Sequence, residues 1–191
     1  MIETKTVYFE KPGKENTKET LELSILAAKQ LQSKTLLLSS TTGYSAEMAL
    51  DMIDEDMKLV VIGHSYGFKE PGKNEMDPQT IKRLQATKNA EIFFATHGFS
   101  GIEKSFSSKY GGIYPHRMIA DTLRIFSQGT KVIFEDMIMA ADAGLVPIHE
   151  EIVSVGGTGR GLDTAMIIKT VHAGELFDSA VKRIICLPLK N

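Results

Sequence analysis

Short runs of consecutive apolar residues alternate along the chain with stretches in which apolar residues recur every three or four positions. Thr6–Phe9, Thr35–Leu38, Leu59–Ile62, Ile92–Ala95 and Val132–Phe134 have strand length, and Ile152–Val155, Ala165–Lys169 and Val181–Leu187 are further strand candidates. A helix begins at Asn16, with Glu19 three residues on as a capping box requires, and Leu21, Ile25 and Ala28 form its buried stripe. Ser45–Ile53 is a second helix, with Met48/Met52 and Ala49/Ile53 four residues apart. Asp77-Pro78 starts a third, Asp as cap and Pro at the first helical position. Arg117–Gln128 is a fourth, with Ile119, Leu123 and Phe126 on one face and Gly129 as its stop. Phe99–Pro115 carries neither period and is expected to be a long functional or mobile loop.

Strands alternating with helices predict an α/β fold: a three-layer α/β/α sandwich with a mainly parallel sheet, plus added strands at the C-terminal end. No linker or charge block divides the 191 residues, so one domain over 1–191 is expected. Hydrophobic residues make up 42% of the chain and charged residues 24%, a globular composition. A net charge of −2 with both signs interspersed argues against a nucleic-acid partner. The basic pairs Lys82-Arg83 and Lys182-Arg183 read as solvated charges. No stretch of about 18 apolar residues offers a membrane span, and the first residues lack an apolar signal region. The cytoplasm is the default expectation. The single cysteine, Cys186, lies in an apolar run and reads as a buried small hydrophobe. Oligomeric state is not legible, and a homo-oligomer stays open.

The polar chemistry follows the strands, where open α/β sheets bind ligands. Ser39-Ser40-Thr41-Thr42-Gly43-Tyr44-Ser45 leads from a strand into a helix. Its hydroxyls, Gly43 and the helix start suit a phosphate cradle, while Thr42 or Ser45 as a simple helix cap is the plainer reading. Thr96-His97-Gly98 follows another strand, and His97 faces either a ligand or backbone. Gly156-Gly157-Thr158-Gly159-Arg160-Gly161 matches neither a Walker loop nor a dinucleotide fingerprint. It suits a backbone nest with a guanidinium for phosphate, or else a flexible hairpin with an exposed arginine. Asp163 and Thr164 follow closely, placed to contact a ribityl-type chain or to cap a turn. The five histidines lack HxH or HExxH spacing, so no metal site is expected. Met137–Asp142 reads as a packed helical turn, with a flat-ring contact as the second reading.

Gly63-His64-Ser65-Tyr66-Gly67 fits the G-x-S-x-G pattern of hydrolase nucleophile elbows, with Asp142 or Asp163 and then His172 in the matching order. Pro71-Gly72 interrupts the helix that an elbow needs, no His-Gly-Gly segment precedes it, and few strands come before it.

The run from Asn16-Thr17 through Leu36–Ala46 resembles the C-terminal domain of pyruvate kinase, whose Ser/Thr-Gly loop holds an effector phosphate in some enzymes. Gly129-Thr130-Lys131-Val132 is similar to the start of one of its strands. A closer resemblance, nearly end to end, is to small stand-alone proteins of that fold. It rests on Tyr8–Thr17, Ile138–Asp142 and Val155–Ala165. That family is associated with FMN but not with a settled reaction. The resemblance implies an FMN phosphate near Ser40, Thr41, Thr42, Gly43 and Ser45, with further contacts from Gly156–Thr164. It implies no pyruvate kinase activity, because the catalytic barrel is missing. Three readings stay open: an FMN-binding redox enzyme or carrier, a regulatory module for another phosphorylated effector, and a serine hydrolase using Ser65. No catalytic residue is assigned.

Overall fold

In a computed structural model, which describes residues 1–189, the chain forms one seven-stranded sheet covered by helices on both faces. The strands are β1 (Val7–Phe9), β2 (Thr35–Ser39), β3 (Lys58–His64), β4 (Ala90–Ala95), β5 (Glu151–Gly156), β6 (Thr164–Lys169) and β7 (Ala180–Pro188). Their order across the sheet is β1-β7-β6-β5-β2-β3-β4. Only β6 runs against the others, pairing antiparallel with both β5 and β7. The helices are α1 (Thr17–Leu31), α2 (Tyr44–Leu50), α3 (Pro78–Ala86), α4 (Glu103–Tyr110), α5 (Pro115–Leu123) and α6 (Gln128–Asp142).

The two-residue period of the strands sorts the core into two layers. Leu36, Leu38, Leu59, Val61, Val153 and Val155 point to the face covered by α1, α2 and α3. Leu37, Val60, Ile62, Ile152, Met166 and Ile168 point to the opposite face, against Ile133, Phe134, Met137 and Ile138 of α6 and Ala120 of α5. Cys186 is buried, and burial pushes its thiol up to about 12, so it is inert packing material. Among the described residues, no helix is long and apolar enough to cross a membrane.

Five sequence expectations are corrected. Val132–Phe134 is not a strand but lies within α6, and Gly129 does not stop a helix but sits in the first turn of this one. Ser127 caps α6 by accepting from the Thr130 amide at 2.9 Å, and a side chain at position 129 would collide with Thr164. The fourth predicted helix is accordingly shorter, ending at Leu123. Residues 99–115 are not one loop, because α4 occupies Glu103–Tyr110. Asn16 precedes α1, but its side chain donates to the Lys11 carbonyl at 2.8 Å, so the capping box does not form. The cap of α3 does form: Asp77 accepts from the Gln79 amide.

Candidate functional site

The topology fixes where a ligand site belongs. From the carboxyl end of β2 the chain leaves through α2 toward β3, on one side; from the carboxyl end of β5 it turns into β6, on the other. β2 and β5 are neighbours, with Leu38 opposite Val155. Their carboxyl ends therefore form a topological switch point, where open α/β sheets have a crevice. A cleft of about 460 Å³ lies there, within the range of small-molecule sites.

Both loops singled out by sequence reach this cleft. Thr41 and Ser45 line it from the β2 loop; Gly157, Gly159, Arg160 and Gly161 line it from the turn after β5; His97 lines it from the end of β4. The remaining predicted residues do not line the cleft. Ser40 is buried, and its hydroxyl accepts from the Ala46 amide, so it supports the start of α2. Gly43 precedes α2 with φ of 98°, and neither Thr42 nor Ser45 caps the helix. Thr42 faces a shallower depression beside Lys73 and Asn74.

The glycine run is the hairpin between antiparallel β5 and β6. A side chain at Gly157 would meet the Gly161 carbonyl, and one at Gly161 would meet Lys14, so the turn is closed on itself and against the N-terminal segment. Gly156 packs directly on Gly129 of α6. Thr158 is half-buried and faces Pro12 and Ser127, away from the main cleft. Asp163 and Thr164 are fully buried: Asp163 accepts from the Gly13 amide at 3.1 Å and from the Thr164 hydroxyl at 2.9 Å, and Thr164 meets Ser127 at 2.9 Å. They tie the hairpin to its surroundings. Burial pushes the Asp163 carboxyl up, and these hydrogen bonds only partly offset it.

The third wall is α6, which sequence reasoning missed. Gln128, Lys131, Val132, Asp136 and Met139 all face the cleft. Lys131 and Glu135 form a buried ion pair one turn apart, and Glu135 also accepts from His97 Nδ1 and from the Phe99 amide, both at 3.0 Å. Burial alone would raise the Glu135 carboxyl; the bond to His97 and the Lys131 charge outweigh it and hold the group below its ordinary value. The neighbouring Asp136 goes the other way. Complete burial, and then the Glu135 charge, push its carboxyl well above the usual range.

A second network crosses the mouth of the cleft. Glu75 accepts from Arg160 at 2.8 Å and pairs with His64 Nδ1 at 2.8 Å, while His64 Nε2 lies 3.3 Å from the Thr41 hydroxyl. Partial burial would raise Glu75, but its bonds to Arg160 and His64 prevail and lower it; burial lowers His64 despite the Glu75 bond. The His64 and His97 rings meet edge-on at 4.8 Å, and Phe68 packs on both, giving the cleft an aromatic flank.

The geometry does not assemble a nucleophile elbow. Residues 65–77 after β3 form turns, with no helix following Ser65. His172 does pair with Asp142 at 3.0 Å, but at the far end of α6, next to Leu145, whose carbonyl accepts from Lys58 at the start of β3. Ser65 lies past the other end of that seven-residue strand, roughly 20 Å away at strand rise.

No family model matches the chain. Among solved structures, the fold is similar to part of a pyruvate kinase from Cryptosporidium parvum (TM-score 0.43, 10% identity, 81% of this chain on 22% of that one). It is similar also to Cryptosporidium parvum pyruvate kinase in complex with ADP (TM-score 0.40, 11% identity, 82% on 23%). The chain thus spans less than a quarter of the length of those proteins.

Proposed function

We propose that the cleft binds a phosphate-bearing ligand, and that this ligand is FMN. The observation that carries the reading is the meeting, at one switch point, of two separately chosen loops and a set of cations. Arg160 and the hairpin amides stand at one end of the cleft, and Lys131, Arg124 and Lys104 line its wall. The only carboxyl group on that wall, Asp136, is pushed toward its neutral form. Arg160 is paired with Glu75, Lys131 with Glu135 and Arg124 with Asp121, so an incoming anion would share or exchange these partners, and Lys104 adds a further ammonium to the lining. Ile62, Val132, Met139 and Phe68 add apolar surface suited to a flat ring. Met139 thus takes the ring-facing part of the Met137–Asp142 segment, while Met137 is packed in the core.

Bound FMN would supply electron-transfer chemistry at its ring. The chain's own contribution is to hold the phosphate with Arg160 and hydroxyls such as Thr41, to sandwich the ring, and to keep Lys131 and His97 in fixed orientation through Glu135. The serine hydrolase reading does not fit this geometry, since Ser65 lacks its elbow.

The test is a visible absorption spectrum of freshly purified protein, with mass identification of what heat releases. A flavin spectrum with FMN released is the expected result. A colourless protein that also fails to take up added FMN would leave another phosphorylated effector as the ligand. A second prediction concerns Arg160. Its guanidinium already bonds Glu75, so an incoming phosphate exchanges one anionic partner for another. Arg160→Ala is expected to weaken FMN about tenfold or more, while weakening riboflavin, which has no phosphate, by less than about threefold. Paired fluorescence titrations check this, and equal losses would remove Arg160 from the phosphate site.

A further inference from the structure

Two buried polar atoms in the cleft wall have no hydrogen-bond partner among the described residues: His97 Nε2 and Asp136 Oδ2. Orphaned buried groups of this kind are uncommon, because each loses its bond to water without replacement. Here both stand on residues that line the same cleft, and both are anchored to the same segment of α6.

Their neighbours determine what each atom offers. The Glu135 carboxylate takes the hydrogen on His97 Nδ1 at 3.0 Å, and its second oxygen is fixed by the Phe99 amide. With Nδ1 as the donor, a neutral imidazole presents a bare lone pair at Nε2. Asp136 is enclosed beside the Glu135 carboxylate, while the ammonium of Lys131 pairs with Glu135. Enclosure beside a like charge favours the protonated form of the carboxyl, whose O–H is a donor. One wall of the cleft thus carries one acceptor and one donor, both unused.

We propose that His97 Nε2 and the Asp136 carboxyl form the recognition edge for a cyclic amide or imide, the ligand's N–H donating to His97 and an adjacent C=O accepting from Asp136. A phosphate or carboxylate needs donors only, and an ammonium needs acceptors only; neither satisfies this pair. An amide edge satisfies both. The inference rests on the FMN reading of the cleft, since the pyrimidine ring of a flavin carries an N–H between two carbonyls. It gives the ring its orientation: pyrimidine edge toward α6 and His97, phosphate toward Arg160.

The experiment compares FMN with its N3-methyl analogue, by fluorescence titration, on the wild-type protein and on His97→Phe, which keeps a ring but removes the lone pair. Methylation is expected to weaken binding about 10-fold to 100-fold in the wild type. In His97→Phe the penalty should fall below about threefold, because FMN has there lost the same bond. The wild type also gives a readout that needs no variant. The infrared carbonyl stretches of bound FMN should include one at or below its position in water, as for a strongly hydrogen-bonded C=O. Uptake of FMN with no methylation penalty, an equal penalty in both proteins, or carbonyl stretches all at their aprotic-solvent positions overturns the edge while leaving FMN as the ligand. Failure of the wild type to take up FMN at all removes the ligand reading and the edge together.

Discussion

Replacing Lys131 by methionine is expected to destabilise the fold by about 3–5 kcal/mol at pH 7, and by far less near pH 4. The size follows from burial. The Lys131 side chain is 8% exposed and that of its partner Glu135 1%. Methionine fills the same stem but leaves a buried carboxylate with only His97 and the Phe99 amide for support. In the wild type the Glu135 carboxyl titrates below its ordinary value of 4.5, so the group contributes stability above that pH and loses it as pH falls through the folded-state value. Without the ammonium, burial prevails and the folded-state value moves upward. The variant then loses stability as pH rises, where the wild type gains it, and the two curves diverge from about pH 4 toward neutrality. Lys131→Met combined with Glu135→Gln should recover most of the loss, since no charge remains unpaired. Urea unfolding at pH 4 and pH 7 measures all three proteins. A single-variant cost below about 1 kcal/mol at pH 7 would show that the pair is solvated, and its place in a closed cleft wall would fall with it.

The same pair shows what the sequence could and could not carry. All seven strands follow from apolar runs bounded by turn residues; the loops after β2 and β5 were singled out because they combine hydroxyls and glycines, with Arg160 in the second, next to strand ends. Their approach to each other was not legible. It depends on β5 inserting beside β2 after a crossover of more than fifty residues, which is a property of topology and not of either loop. Lys131, Glu135 and Asp136 were missed for a different reason. Val132–Phe134 is an apolar triplet too short to distinguish strand from helix, and Gly129 reads as a stop when it is in fact required for close packing on Thr164 and Gly156. Extending the helical period through the glycine would have put Lys131, Glu135 and Met139 on one face, four residues apart, inside an otherwise apolar helix. Charged residues at that spacing in such a setting are the available signal. The glycine hairpin shows the converse: its residues were noticed, but Asp163 and Thr164 proved to hold the turn and not to line the cleft.

Asp136→Leu is expected to raise stability at neutral pH and to weaken the ligand. Asp136 is buried, its Oδ2 lacks a partner, and its carboxyl sits well above the ordinary value of 3.8. The sign is opposite to that of Glu135. The unfolded chain releases this proton near the ordinary value while the folded protein retains it. Folding therefore loses about 1.4 kcal/mol for each pH unit above that point, until the folded-state value is passed. Leucine, of similar shape, removes the penalty and has apolar neighbours in Ile133 and Met139 on the same helix. The gain should be small near pH 4 and grow steadily toward pH 7, which urea unfolding at three pH values would trace. A difference independent of pH would mean that Asp136 ionises as freely in the folded protein as in the unfolded one, and a loss of stability at pH 7 would mean that it is paired. A core position that costs stability and opens onto a cleft is what a binding requirement imposes on an otherwise well-packed helix. The two readouts should therefore move in opposite directions: greater resistance to urea and weaker binding of FMN in the same variant. A purely structural aspartate would lose or gain both together.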